Sequence, residues 1–443
     1  MSASASGIPR ISELNRRLLF TLFILIVYRL GVFIPVPGIS PAQITQLFER
    51  TSGTAFDLFN VFSGGALEQA SIFALGVIPY ITASILMSLM VKAIPSLEAL
   101  QKEEGQAGRR KINQYSRYGT VPISIIQATV LTLALETGAA EAPGLGFRLS
   151  TILTLTSGSM LVMWLGEQIS EKGIGNGVSL IITMSILAGT PGALWNMLRL
   201  VRVGDITVLG MLLIFVFLVF VMAIIVFVET ASRKIPIQHP RKVMGRKMME
   251  GGTTHLPLKI NPSGVIPPIF ASSLLIFPAT LVAITDTPFM RTISEEVIQN
   301  PFVYNIVFAV LIIFFSFFYT GIVYDPNDLS DNIKNSGANV PGIRPGAKTS
   351  EYIGSILNKI TLIGSIYLVA VCVLPSFLQR DPFNLPFYFG GTSLLIIIGV
   401  TLDFMQRVQS FVITRNYDSF ATAGGGGGAR RPRGQGGRRR KRF

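Results

Sequence analysis

The stretch TVLGMLLIFVFLVFVMAIIVFV, Thr207 to Val228, holds no charged residue and is long enough to cross a bilayer as one helix. A helix rises about 1.5 Å per residue, so a hydrocarbon core of about 30 Å needs roughly 20 mostly apolar residues. On either side of it, nine further stretches meet the same standard, near 18–36, 71–91, 119–137, 149–167, 178–194, 264–285, 302–323, 355–378 and 389–408. The expected fold class is an all-α polytopic membrane protein with ten transmembrane helices.

The positive charge between these stretches falls on alternate sides. The N-terminus, the loops at 92–118, 168–177, 229–263 and 324–351, and the tail from 407 carry 30 of the 38 Lys and Arg residues, while the opposite loops carry 6. Arg29 and Lys359 lie within or beside spans. Basic residues are retained on the cytoplasmic side during insertion, so the expected orientation is N-in and C-in. A mean hydropathy of +0.53 and a charged fraction of 14% agree, because soluble domains usually carry about 25% charged residues. The first apolar run follows Arg16 and Arg17 but is too long for a signal peptide and lacks a small-residue cleavage site. It is expected to stay in the mature protein. The lone Cys372 rules out an intramolecular disulfide and a cysteine-based zinc cluster.

Several spans contain helix breakers: Pro79, Pro122, Pro191, Pro267, Pro268, Pro278 and Pro375. Proline removes a backbone donor, and the freed carbonyl must be satisfied by neighbouring helices or water. Membrane helices tolerate such residues singly; together they favour helices that move or line a cavity. Charge inside the spans is sparse, chiefly Arg29, Glu167 and Asp403, each near a span end. Snorkelling or pairing within the bundle accounts for all three, and no midplane relay of the kind expected in an ion-coupled transporter is visible.

Between the first two spans, Phe56 to Glu68 reads FDLFNVFSGGALE. It is too short to span, and is either a surface-lying helix or a re-entrant element. The chemical motifs of enzymes are missing. His239 and His255 share one loop without an HExxH pattern or a cysteine partner, so no metal site is expected. GIRPGAKTS, Gly342 to Ser350, has Ala347 where a phosphate-binding loop needs Gly directly before Lys, and it lies between membrane spans. GIGNG, Gly173 to Gly177, reads as a tight turn between spans. No nucleophile with its base and no paired aspartates lie within the spans, which argues against an intramembrane protease. No cofactor is expected.

Eight segments together resemble the SecY family, the central subunits of bacterial protein-conducting channels. They are FIPVPGI at Phe33 to Ile39, FDLFNVFSGGAL with SIFALGVIPYI to Ile81, GRRKINQYSRYGT at Gly108 to Thr120, MWLGEQISEKGIGNG at Met163 to Gly177, THLPLKIN at Thr254 to Asn261, GVIPPIFASSLLIFPAT at Gly264 to Thr280, SGANVPGIRPG at Ser336 to Gly346, and PFYFGGTSLLI at Pro386 to Ile396. Each is weak alone; their order within ten spans is specific.

The resemblance implies an hourglass channel of two pseudo-symmetric halves hinged like a clamshell, at 18–194 and 195–408, between a cytoplasmic N-terminus at 1–17 and a tail at 409–443. It implies a ring of bulky apolar residues at the waist: Ile81, Ile85, Ile182, Ile186, Ile269 and Ile396. Phe56, Asp57, Leu58, Phe59, Asn60, Val61, Phe62, Ser63, Gly64 and Gly65 would form a plug. A lateral gate would run between the second and third spans and the seventh and eighth, with Ser84, Ser272 and Ser273 offering weak hydrogen bonds or, more simply, close packing. Arg241, Lys242, Arg246 and Lys247, with Arg344 held at a loop tip by Pro341, Gly342, Pro345 and Gly346, would dock the motor ATPase SecA or the ribosome; the first loop's charges alone are equally explained by retention and anionic lipid. The small membrane subunits SecE and SecG are implied by the family alone, and the substrates would be unfolded secretory and membrane proteins bearing signal sequences.

The tail after Ala423 departs from the family's ordinary C-terminus, with five glycines and then ARRPRGQGGRRRKRF. It holds eight basic residues and no acidic one, a composition that cannot bury a core and is expected to be disordered. It suits anionic lipid, ribosomal RNA or simple solubilisation.

Overall fold

The computed structural model describes residues 9–39, 63–103, 105–138, 142–204, 207–239, 242–244, 247–249, 252–282, 300–378 and 390–424. Its helices are α1 (Pro9–Gly31), α2 (Ile78–Ala93), α3 (Pro95–Glu103), α4 (Gln106–Gly138), α5 (Leu145–Lys172), α6 (Gly177–Val203), α7 (Val208–Thr230), α8 (Ile266–Val282), α9 (Pro301–Val323), α10 (Pro326–Asn335), α11 (Ala347–Leu378) and α12 (Gly391–Gly424). Among the described residues, seven helices are long and apolar enough to cross a membrane on their own, and α2 with α3 forms an eighth candidate bent by 102°. This is a multi-pass membrane protein. Every apolar stretch of the sequence coincides with a helix over most of its length.

Helix starts follow local chemistry. The Asn176 side chain accepts from the Ser179 N–H, Thr207 Oγ1 from the Gly210 N–H, and Asn300 Oδ1 from the Phe302 N–H, so each satisfies one orphan donor at the start of α6, α7 and α9. Pro79, Pro267 and Pro268 fall in the first turns of α2 and α8, where a missing N–H costs little. Pro122, Pro191 and Pro375 lie inside α4, α6 and α11.

Two features differ from the sequence expectation. The second span begins as a helix at Ile78, and residues 63–77 run as a chain of turns instead. That run is tied down by its polar groups: Ser71 Oγ donates to the Gly31 carbonyl at 3.0 Å, Ser159 Oγ to the Gly76 carbonyl at 3.2 Å, and the Ile72 N–H to the Ile34 carbonyl at 3.0 Å. Backbone groups away from water must find such partners. The loop at 229–263 also contains strands, β1 (Ser232–Gln238) paired antiparallel with β4 (Thr253–Lys259), and β2 (Lys242–Met244) with β3 (Lys247–Met249). Ile235, Ile237 and Leu258 turn inward from the first ribbon onto Ile353, Ile356, Leu357 and Ile360 of α11. The first turns of α11, 347–354, precede the expected span, and Ile353 there joins Ile356, Leu357 and Ile360 in the core of this small unit.

Two larger cores lie within the bundle. One joins α1, the 63–77 turns, α2, α4, α5 and α6 and takes in Ile396 and Val400 of α12; the other joins α7, α8, α9, α11 and the remaining inward face of α12. The side chains of α12 thus contribute to both.

Candidate functional site

Six isoleucines from four helices belong to, or pack against, the first of the two cores within the bundle. Ile81 and Ile85 of α2, Ile182 and Ile186 of α6, and Ile396 of α12 are buried members of one apolar cluster, and the half-buried Ile269 of α8 packs against it. The spacing of four within α2 and α6 keeps each pair on one helical face.

A cavity of about 1340 Å³ leads to this cluster. Its wall is polar away from the isoleucines: Arg110, Asn113, Gln114 and Arg117 of α4, Glu167 and Glu171 of α5, and Arg407 of α12. Ile81, Ile182 and Ile269 line its apolar part. The polar wall is built from the helix ends that flank the basic loops at 92–118 and 168–177 and the basic tail, so the funnel opens on the basic face. Arg117 pairs with Glu167 across α4 and α5, and Arg407 Nε lies 2.8 Å from Asp403 Oδ2. The carboxylates noted near span ends are therefore paired within the bundle or along one helix.

The turn Ser63–Gly65 lies against α1 and α6, at the level of Ile182 and Ile186. The Tyr28 hydroxyl donates to the Ser63 carbonyl at 3.2 Å and lies 2.7 Å from Ser185 Oγ, next in sequence to Ile186. Arg29 Nη1 donates to the Gly64 carbonyl at 2.7 Å, which gives this span-end charge its partner. Gly64 has φ +70°, and a Cβ there would stand 2.8 Å from Ser185 Cα, so both conformation and space require glycine. Of the expected plug, Phe56 to Phe62 lie outside the described residues. Tyr28 carries no motif signal of its own; only its place one residue before Arg29 could have marked it.

The expected gate residues sit on helices that pack together. Ser84 of α2 lines the funnel. Ser272 and Ser273 of α8 are buried, and Ser272 Oγ donates to the Ile269 carbonyl of its own helix at 2.9 Å. That bond fits the packing reading of these small residues.

Arg344 is exposed in the loop between α10 and α11. Its carbonyl accepts from Thr349 Oγ1 at 2.9 Å, and the Gly346 carbonyl accepts from Ser330 Oγ at 2.8 Å, so the loop is fixed from both sides. Lys242 and Lys247 lie in β2 and β3, while Arg241 and Arg246 lie outside the described residues.

Comparison with known proteins gives the family and the fold of the chain. The family model described as SecY matches residues 71–405. Protein translocase subunit SecY of Escherichia coli (strain K12) is 45% identical over 418 residues, covering 92% of this chain and 94% of that protein. The subunit of the same name from Aquifex aeolicus (strain VF5) is 40% identical over 427 residues, covering 95% and 99%. Among solved structures, "The structure of a protein conducting channel" superposes with a TM-score of 0.64 at 17% identity, covering 90% of this chain and 93% of that chain. Sec61 in the canine ribosome-channel complex gives 0.60 at 16% identity, covering 90% and 93%. By sequence along nearly its whole length, and with the same fold, the chain belongs to the SecY family.

Proposed function

We propose that this chain conducts unfolded polypeptides across the cytoplasmic membrane through the funnel and the isoleucine cluster, and releases apolar segments sideways into lipid between α2 and α8. Its role as a protein-conducting translocation channel follows from the family. The single observation that supports this route is a polar funnel whose apolar end is lined by Ile81, Ile182 and Ile269, three of the six isoleucines, contributed by helices of both cores. An apolar constriction dewets and so blocks ions when empty. Branched aliphatic side chains also yield around an extended chain without reading its sequence, which suits a conduit for many substrates.

In this reading the six isoleucines form the waist, and the bundle has ten spans with both termini and the basic face in the cytoplasm. The loops carrying Lys242, Lys247 and Arg344 then offer cationic docking surfaces to SecA or the ribosome, and to anionic lipid around them. SecE and SecG complete the assembly.

The test uses the lone cysteine. Cys372 is replaced by Ser, Cys is placed at Ile269, and disulfide formation is sought with a cysteine in a secretory precursor arrested in transit. The expected result is a crosslink that needs both the arrested chain and its signal sequence. Silence at Ile269, Ile85 and Ile182 while export proceeds would place the path elsewhere.

A further inference from the structure

We infer that Tyr28 and Ser185 are positioning residues that clasp the Ser63–Gly65 turn against the ring-bearing face of α6, and that their hydroxyls can release it without stranding a buried donor. The inference rests on the isoleucine cluster being the channel's waist.

The geometry contains one more hydrogen-bond contact than it has protons. Tyr28 and Ser185 bring one hydroxyl proton each, and three contacts compete for them. The Ser63 carbonyl lies 3.2 Å from the Tyr28 hydroxyl, the Ile181 carbonyl lies 2.9 Å from Ser185 Oγ, and the two hydroxyl oxygens lie 2.7 Å apart. Two arrangements use both protons and place one of them between the hydroxyl oxygens. In the first, Ser185 donates to Tyr28 and Tyr28 donates to the Ser63 carbonyl, which holds the turn. In the second, both hydroxyls rotate: Tyr28 donates to Ser185, and Ser185 donates to the Ile181 carbonyl of its own helix. The turn is then no longer held by Tyr28, and neither hydroxyl is left unsatisfied. Both residues are buried, so a stranded donor would otherwise oppose release.

The position of the clasp gives it a consequence. Ser185 immediately precedes Ile186 and shares its helix with Ile182. Gly64 lies directly against Ser185, and Ala66 and Leu67 just beyond the turn belong to the same apolar cluster as the isoleucines. Displacing the turn from α1 and α6 together, which makes room for the cluster to widen, therefore breaks the Tyr28–Ser63 bond. Arg29 adds a second tie through the Gly64 carbonyl, charge-assisted at 2.7 Å. Tyr28 itself is held in place by stacking on Phe73, with ring centroids 5.8 Å apart. Removing its hydroxyl alone should leave that packing intact.

Two single substitutions then act in opposite directions. Tyr28→Phe keeps the ring but deletes the bond to Ser63, so the closed state is weakened. Ser185→Ala leaves the Ser63 carbonyl as Tyr28's acceptor and removes the alternative one, so the released state is weakened. A merely structural role would have both variants perturb the channel in the same direction.

The experiment measures resting ion conductance, and opening by an added signal peptide, for the full-length chain in its channel complex in planar bilayers. Ile186→Asn serves as the control for the waist. Expected are a resting conductance about fivefold higher for Tyr28→Phe, from the loss of one hydrogen bond, and slower opening without added leak for Ser185→Ala. If Ile186→Asn leaks while Tyr28→Phe does not, or if both single variants shift the same way, the clasp is overturned and the waist stands. If Ile186→Asn does not leak either, the waist reading fails and the clasp with it.

Discussion

Gln238 and Asn339 exchange two backbone hydrogen bonds: the Gln238 N–H donates to the Asn339 carbonyl at 2.8 Å, and the Asn339 N–H donates to the Gln238 carbonyl at 2.9 Å. Gln238 ends β1, and Asn339 lies in the loop that carries Arg344, so one bridge ties both extramembrane loops together. Val340 beside it is buried in the same small core as Ile235 and Ile237. Asn339→Pro deletes the second bond. We expect about 1 kcal/mol of local destabilisation, seen as roughly fivefold faster hydrogen exchange in β1 and near Val340, with melting of the bundle unchanged. Unchanged protection in both loops would show that the bridge does not couple them.

Arg344 is exposed, and among the described residues it is tied to the fold through its carbonyl, which accepts from Thr349 Oγ1. Arg344→Glu should therefore alter stability by no more than about 0.5 kcal/mol, while reversing the charge offered to a partner. The expected outcome is impaired motor-driven export with near-normal insertion of short membrane proteins, measured side by side in membrane vesicles. Equal loss of both, with a lowered melting temperature, would point to misfolding.

At the junction of α7 and α8, Asn261 donates through Nδ2 to Glu229 Oε1 at 2.7 Å and to the Gly264 carbonyl at 3.0 Å, while Ser263 Oγ donates to Asn261 Oδ1 at 3.0 Å. Asn261, Ser263 and Glu229 are all buried. Asn261→Leu would leave the Glu229 carboxyl group and the Ser263 hydroxyl without these partners. We expect a loss of about 3 kcal/mol, seen as a melting temperature lower by several degrees. Glu229→Gln keeps an acceptor oxygen and should cost about 1 kcal/mol. Similar effects from the two variants would mean that Asn261 matters for its shape and not for its hydrogen bonds.

The spans were legible in the sequence because membrane insertion selects on two coarse quantities, apolar length and basic charge, and both survive in a stretch such as Thr207 to Val228. What periodicity does not carry is the meeting of distant residues. The isoleucines at positions 81 and 396 look like ordinary membrane filler, and only ordered family motifs marked them before the fold placed both in one cluster. The ribbon of β1 and β4 was missed because its exposed face carries Arg233, Lys234 and Lys259, whose charge dominated the reading of that loop, while the buried Ile235, Ile237 and Leu258 are too few to stand out. Tyr28 and Ser185 were invisible for a related reason. Their partnership spans 157 positions and depends on a hydroxyl in each of two apolar helices.

The isoleucine cluster makes the sharpest demand on function. Ile269 is its half-buried member, projecting from α8 where that helix packs against α2, and it also lines the funnel. Because it is not fully enclosed, Ile269→Asn should be tolerated by the fold better than a polar substitution at Ile396, which is almost wholly buried. On the proposed route through the cluster, an amide at this position lets water enter and weakens dewetting as a barrier to ions. Resting ion leak should therefore rise, and precursors with defective signal sequences should be exported more readily, because less binding free energy is needed to part α8 from α2. The two effects are measured separately, by conductance in planar bilayers and by export of a signal-defective precursor in vesicles. If both stay at the wild-type level while the variant is stably folded, Ile269 is packing and the waist lies elsewhere.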